Sequence, residues 1–423
     1  MAAQRFDVIV VGGGPAGASV ATQLARRGRR VVLCERERFP RFHIGESLLP
    51  CSMPLFEELG VLPELERRFL PKFGAEFVTL DGELTRLYSF ENGLVEGAVS
   101  AFHVDRAEFD QVLLDNAARA GVDVRQGAQV TRFDTDTRRA WVSGRSDTGG
   151  RFELEAELLV DATGQSSLIA GRLGLRRMDT ALRNVSIFSH YKGAKRHSGQ
   201  REGDISIVLT PQGWWWVIPM RNDRTSVGLV IPAKAQRGGR LDEAFLNEQI
   251  AESSYLVERL AGAERVAPVR TLSDWSYSSD RLVGDRWLLV GDAAAFIDPV
   301  FSTGVYLGML GAFRAADTIE RAFQRSRFSS VHFKGYERWV RRSVGAYRQF
   351  VRGFYQPEFV EVLLQPSDTL SMRGAITSLL AGHGVNRFSV AWRVGLFRAL
   401  ARLNRHVRLV PRLPSRRQAH ATP

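Results

Sequence analysis

The segment Gly12-Gly13-Gly14-Pro15-Ala16-Gly17 constrains this chain more than any other. It follows an apolar run, Phe6 to Val11, and precedes a stretch of helical pattern, Ala16 to Arg27, after which Arg30 to Glu35 is again rich in β-formers. Strand, glycine turn, helix and strand make a βαβ unit. The G-x-G-x-x-G spacing then gives each glycine a mechanical task. Gly12 permits the tight turn, Gly14 lets the backbone approach a pyrophosphate where Pro15 and Ala16 open the helix, and Gly17 lets that helix pack closely on the strand. Glu35 ends the second strand and is placed to accept hydrogen bonds from a ribose. The expected fold class is α/β, with a dinucleotide-binding layer of Rossmann type.

Further along, Pro50 to Phe69 has helical spacing, whereas Ala75 to Leu80, Leu84 to Phe90 and Ala98 to Val104 read as strands of a second layer. Helical periodicity returns over Val104 to Ala120, followed by β-like stretches Val122 to Val130, Thr131 to Val142 and Leu154 to Ala162. Asn184 to Ile231 alternates like an antiparallel sheet, and the chain after Gly304 is helical in pattern. No internal repeat or low-complexity linker interrupts it. The expected organisation is a dinucleotide-binding module over 1–330, interleaved with a substrate-side sheet from about 75–105 and 184–275, then a helical, Arg-rich region over 331–423.

Two cysteines, Cys34 and Cys51, are too few for a disulfide framework or a Cys-rich metal site; both are expected as packing residues in a reducing, cytoplasmic compartment. No uncharged apolar run is long enough to span a bilayer, so no transmembrane segment is expected. The formal net charge of +12 is mostly a tail effect: Leu370 to Pro423 holds ten arginines and no Asp or Glu. Within Trp392 to Leu409, Leu396, Leu400, Leu403 and Val407 recur at helical spacing, with Arg398, Arg402, Arg405 and Arg408 on another face. A cationic amphipathic helix of this kind speaks about partners more than fold.

Two later segments suit the same nucleotide. Asp161-Ala162-Thr163-Gly164 closes a strand with a small-residue turn; Gly291-Asp292-Ala293-Ala294 follows Trp287 to Val290 and is expected to start a helix, its Asp accepting from a ribitol hydroxyl. With Val104-Asp105-Arg106-Ala107-Glu108-Phe109-Asp110 and the glycine loop, they resemble the FAD-binding set of a flavoprotein family that includes aromatic hydroxylases, geranylgeranyl reductases and flavin-dependent halogenases. The resemblance runs from about residue 6 to 310 and implies FAD and not NAD. It places cofactor contacts at Gly12, Gly14, Pro15, Ala16, Gly17, Glu35, Arg41, Ser47, Arg106, Val130, Asp161, Gly164, Asp292, Pro299, Gly304 and Val305.

Three features are similar to the halogenases in particular. Gly213-Trp214-Trp215-Trp216-Val217-Ile218-Pro219 contains Trp-x-Trp-x-Ile-Pro, whose Trp214, Trp216, Ile218 and Pro219 would shield the flavin from organic substrate; three consecutive indoles on a strand cannot all face one side. Lys72, in Phe69-Leu70-Pro71-Lys72-Phe73-Gly74-Ala75 and following Gly45-Glu46-Ser47-Leu48-Leu49-Pro50, falls where that family has its essential lysine. Asp298-Pro299-Val300-Phe301-Ser302-Thr303-Gly304-Val305 offers Ser302, Thr303 and Gly304 as a halide-binding nest. Free-tryptophan halogenases carry Glu immediately before this Ser-Thr-Gly, where the present chain has Phe301. The resemblance therefore implies halogenation, by chloride or bromide with dioxygen and FADH2 from a separate flavin reductase, of a phenol or pyrrole, often tethered to a carrier protein. Carrier proteins are typically acidic, so the Arg-rich C-terminal region is a candidate docking surface for one; the same face could attract an anionic membrane or nucleic acid, or be a packing helix whose arginines simply reach water, and nucleic acid is not counted among the expected partners. An FAD monooxygenase or a geranylgeranyl-reductase-like enzyme is the alternative, separated by the need for halide.

Overall fold

The computed structural model describes residues 4–235, 240–273, 276–365, 368–384 and 387–413. Its first sheet is built on Gln4–Val11, which pairs in parallel with Arg151–Asp161 on one side and Val31–Glu35 on the other. Asp123–Gln126 and Trp287–Leu289 extend the parallel run outward. Val8 to Val11 and Val31 to Cys34 are all buried, which is why these strands read as continuous apolar runs and not as alternation. The register sets Val11 beside both Cys34 and Asp161, so the carboxyl ends of three strands stop together. A parallel sheet leaves its ligand crevice outside those ends. Ala128–Thr135 and Ala140–Ser146 form an antiparallel extension on the first half of Arg151–Asp161.

The helix Pro15–Ala25 packs against Arg106–Arg119 and against the long helix Thr303–Gln324. That long helix begins later than expected. Gly291–Ala293 is only a single 3-10 turn, with Gly291 at φ +63°, and Pro299 interrupts the backbone again before Ser302, at φ +55°, caps the helix. The Gly-Asp segment is therefore a turn and not a helix start.

A second sheet takes the strands Asn184–Lys192, Arg224–Pro232, Trp214–Pro219, Ile205–Leu209, Gly74–Thr79 and Thr85–Ser89, antiparallel except where Ile205–Leu209 meets Gly74–Thr79. Alternation along these strands divides their side chains between two buried faces. Phe77, Phe188, Ile207, Trp214 and Trp216 join the core shared with the nucleotide layer, whereas Val78, Ile187, Val208, Trp215 and Leu229 pack with Leu246 and Leu256 of two short helices. Ala101–His103, expected in this layer, instead pairs with Leu70–Lys72 in a two-stranded ribbon, with a single bridge from His103 to Ser47.

The C-terminal helices Lys334–Phe354, Pro357–Leu363, Met372–Leu380 and Phe388–His406 contribute to the main core. In the last of them the inward stripe is Val390, Val394, Phe397, Ala401 and Asn404; Leu403 and Val407, from the apolar recurrence noted in the sequence, are exposed, Val407 just past the helix end. Both stripes satisfy helical spacing. Packing decides between them, because Phe397 meets Phe359 edge-on at 4.7 Å and Asn404 donates to the buried Glu361 at 2.8 Å. Arg416 and Arg417 lie outside the described residues. Among the described residues no helix is long and apolar enough to cross a membrane.

Candidate active site

A cavity of about 840 Å³ opens between the two layers at the carboxyl ends of the parallel strands. Its floor is the glycine loop. A Cβ on Gly12, at φ +106°, would lie 2.3 Å from the Ala162 carbonyl oxygen, and one on Gly17 would lie 1.9 Å from that of Gly12. These two glycines allow strand, turn and helix to close up. Gly12, Gly14, Pro15 and Ala16 line the cavity; Gly17 supports it from behind. Gly13 N–H donates to Glu35 Oε2 at 2.6 Å and Glu37 N–H to Oε1 at 2.9 Å, so the Glu35 carboxylate is held rigid on the cavity wall.

Beside the loop, Arg106 grips the buried Asp110 through two hydrogen bonds, 2.8 and 3.0 Å, and donates to Ile44 O at 2.8 Å. Arg41 Nη1 lies 3.2 Å from the same carboxylate. Arg41 is also 3.8 Å from the half-exposed Glu37, so the two guanidiniums are partly balanced, yet their N–H groups stand next to a helix N-terminus, a donor set suited to a pyrophosphate. Asp292 also lines the cavity; burial pushes its carboxyl up to about 7, against the pull of Arg106, and among the described residues its carboxylate accepts no hydrogen bond. Such a group fits a ribitol hydroxyl. Ser47, Val130, Gly164, Pro299, Gly304 and Val305 complete the expected contacts on the wall.

Asp161 does not face the cavity. Its fully buried carboxylate accepts from Thr163 N (3.0 Å), Thr163 Oγ1 (2.6 Å) and Ile169 N (2.7 Å), so it shapes the Asp-Ala-Thr-Gly turn from within. Desolvation raises its pKa.

The opposite wall is aromatic. Trp214, Trp216 and Ile218 line the cavity, Trp215 points to the far face of the sheet, and Pro219 is buried without lining. The Trp214 and Trp216 rings lie 6.0 Å apart, and Phe188 continues the wall at 5.6 Å from Trp216. Trp216 Nε1 donates to Ser226 Oγ at 3.0 Å. Trp214 Nε1 donates to Tyr355 OH at 3.0 Å, and Tyr355 OH donates to Asp298 Oδ2 at 2.8 Å. The C-terminal region thereby holds one indole of the wall, a role the sequence reading did not assign to Tyr355 or Asp298. Ser302 and Gly304 line the cavity, with the first-turn N–H groups of the long helix behind them; Thr303 is buried and lines a separate small pocket. Phe301 packs on Phe350 at 4.9 Å and Phe354 at 5.5 Å, so the place of the tryptophan-halogenase carboxylate is filled by an aromatic cluster.

Lys72 lies just behind the cavity wall. It is fully buried, its Nζ donating to Ser47 Oγ at 2.9 Å and to Leu48 O at 3.2 Å, with the Phe90 ring 5.2 Å away. Desolvation, opposed by Asp204, brings its pKa down to about 7, so the uncharged amine is a populated form near neutral pH. An ordinary surface lysine has none of these properties. His103, fully buried beside it, is kept neutral by desolvation and the nearby Lys72, against a backbone contact at Gly203. Glu46 and His190, also given no role by the sequence reading, pair at 2.5 Å on the cavity's edge. His190 follows Ser186 and Phe188 at the two-residue strand period, which is the signal that places it on the cavity side.

A Rossmann-type crevice with this phosphate and ribose donor set, closed by an indole wall, defines a flavin-dependent oxidoreductase. The FAD binding domain family matches residues 5–331. The chain is 31% identical over 381 residues to 1H-pyrrole-2-carbonyl-(peptidyl-carrier protein) chlorinase of Pseudomonas fluorescens, covering 84% of this chain and 85% of that one. It is 37% identical over 327 residues to tryptophan 2-halogenase of Chondromyces crocatus, covering 74% of this chain and 60% of that one. The solved structure of the myxobacterial chondrochloren halogenase CndH superposes with a TM-score of 0.78 at 30% identity, over 95% of this chain and 97% of the other. The chain belongs to the flavin-dependent halogenases, enzymes that use FAD with chloride or bromide.

Proposed function

We propose that this halogenase acts on a phenol or pyrrole carried on an acidic carrier protein, and that Lys72 delivers the halogen. The single observation that carries the reading is the buried Lys72 amine, held by Ser47 and Leu48 one residue layer from a cavity walled by Trp214 and Trp216. Reduced FAD with dioxygen supplies the oxidising equivalent that turns halide into an electrophilic halogen. The chain's residues do the rest. Gly14, Arg41 and Arg106 hold the pyrophosphate, Glu35 the ribose and Asp292 the ribitol. Ser302 and Gly304 hold the halide at the helix start, and Trp214 with Trp216 keeps the aromatic substrate from direct oxidation. A neutral amine on Lys72 can hydrogen-bond hypohalous acid, or take its halogen as the O–halogen bond breaks and water leaves with the amine proton, and then give the halogen to the ring carbon as the ring's proton returns to the amine.

Phe301 supports a phenol or pyrrole, because these rings are activated by their own heteroatom and make less demand on a carboxylate base. The pyrrole chlorinase relative, named for a carrier-bound substrate, supports tethering. Arg402, Arg405 and Arg408 are exposed together with Leu403 and Val407, an apolar and cationic surface that complements an acidic carrier. A separate flavin reductase supplies the reduced cofactor. Cys34 and Cys51, both unpaired, support a cytoplasmic setting.

The test is product mass spectrometry on the purified protein with FAD, a flavin reductase, NADH and chloride or bromide, offering free and carrier-tethered phenols and pyrroles. Halogenated product that disappears in Lys72→Ala, with flavin oxidation intact, is the expected result. Oxygenated product formed equally without halide would overturn the reading.

A further inference from the structure

The turn that carries Ser302 and Gly304 is held at both ends by one helix. Asp298, buried and not lining the main cavity, accepts from Val300 N–H at 3.0 Å through Oδ1 and so fixes the start of the turn Pro299–Phe301. Its Oδ2 accepts from Tyr355 OH at 2.8 Å and from Asn184 Nδ2 at 3.2 Å, Asn184 being the first residue of a strand in the second sheet. At the other end of the turn, Phe301 packs on Phe350 and Phe354, in the last turn of the helix that Tyr355 caps. Ser302 N–H bonds Pro299 O at 3.0 Å inside the turn, which leaves the N–H groups of Thr303 and Gly304 without a protein acceptor among the described residues. Trp214 reaches the same helix end, its Nε1 on Tyr355 OH at 3.0 Å and its ring edge-on to Phe354 at 6.4 Å. The turn and the indole wall, far apart in sequence, thus share Phe354 and Tyr355 as supports.

We propose that Asp298 and Tyr355 are positioning residues for the halide: they set where the turn stands relative to Trp214, so that halide affinity depends on a helix end that does not line the cavity. Hydrogen bonds to an anion weaken steeply with donor distance and angle, so a small shift of the turn costs affinity. A buried carboxylate with three donors is a stiff joint. Taking away the Tyr355 hydroxyl loosens that joint without touching the turn's backbone or any group that faces the halide. The inference rests on the reading that Ser302 and Gly304 hold the halide, and is independent of Lys72 and of which aromatic compound is halogenated.

The full-length, FAD-loaded protein is titrated with bromide, following the flavin's visible absorbance, and the bromide and aromatic-substrate KM values are measured beside it. In Tyr355→Phe the bromide dissociation constant and KM rise about fivefold, while FAD content and the aromatic-substrate KM stay within about twofold of wild type. Asp298→Asn keeps an oxygen for Val300 N–H but sets an amide among donors, and weakens bromide about tenfold. The double variant is no weaker than Asp298→Asn alone, because the two side chains act as one joint. If Asp298→Asn fails to fold by thermal melting, Tyr355→Phe decides the matter. Unchanged bromide affinity in folded, FAD-loaded Tyr355→Phe overturns the proposal, as does a proportional loss of FAD and aromatic substrate, which would mean general loosening. Ser302→Ala in the same titration separates the two readings. Weakened bromide there with Tyr355→Phe unchanged sinks this proposal alone, whereas wild-type affinity in both places the halide elsewhere and sinks the reading it rests on.

Discussion

The two walls of the cavity are made in different ways. The nucleotide wall is made of backbone: a glycine loop, strand ends in register and a carboxylate tied to the loop's own N–H, mostly within the first 35 residues. The aromatic wall is made of side chains that meet from distant parts of the chain, Trp214 held by Tyr355 and Asp298, and Lys72 held by Ser47. A backbone site tolerates side-chain change but not a change of path. A side-chain site fails one contact at a time, with the fold intact.

Gly17→Val is the hardest test of the first half of that contrast. Its Cβ has no room beside the Gly12 carbonyl, so the helix must move; a loss of about 3 kcal/mol or more of stability is expected, together with flavin binding, read by thermal melting and by flavin content after purification. A wild-type melting curve with bound flavin would break it.

Lys72→Met tests the second half, with an effect on chemistry as large but opposite in sign for stability. Halogenation should fall by at least about a hundredfold while FAD affinity is retained. The folded protein holds the amine at about 7, well below its ordinary value of 10.5, so between those two values the unfolded chain binds the proton that the folded chain does not, and stability rises with pH across that window. The variant should therefore melt higher than wild type at pH 7, and the advantage should shrink as pH approaches 10.5. An advantage that grows with pH would contradict the buried, neutral lysine.

Tyr355→Phe sharpens the comparison by removing one hydroxyl. Trp214 loses its acceptor and Asp298 a donor, a cost of about 1–2 kcal/mol; halogenated product per flavin oxidised should fall by about tenfold, seen by parallel measurement of product and hydrogen peroxide. Unchanged coupling would mean that the indole is held by packing alone. The smallest effect is expected at the rim. Replacing Arg402, Arg405 and Arg408 together by Glu should slow carrier-tethered substrate by about fivefold, less at high salt, and leave free substrate untouched, as steady-state rates on the two substrates will show.

What was legible in the sequence tracks the same division. The βαβ unit, the separate tasks of Gly12 and Gly17, the place of Asp292 on the cavity and the splitting of three indoles between two sheet faces all follow from backbone sterics and short periodicities, which a few neighbouring residues determine. Where two local patterns are equally good, nothing in the neighbourhood chooses: in Phe388–His406 the stripes ending at Asn404 and at Leu403 both fit a helix, and Phe359 and Glu361, brought in from another helix, select the first. Asp161 likewise has the residue type of a cofactor ligand, yet the turn's own N–H groups reach it first. Tertiary structure alone decided that Lys72 is buried, that Glu46 meets His190 across 144 residues, and that the C-terminal region holds Trp214. Those meetings depend on how layers pack, and desolvation, which sets the chemistry of Lys72 and Asp292, exists only once the layers have closed.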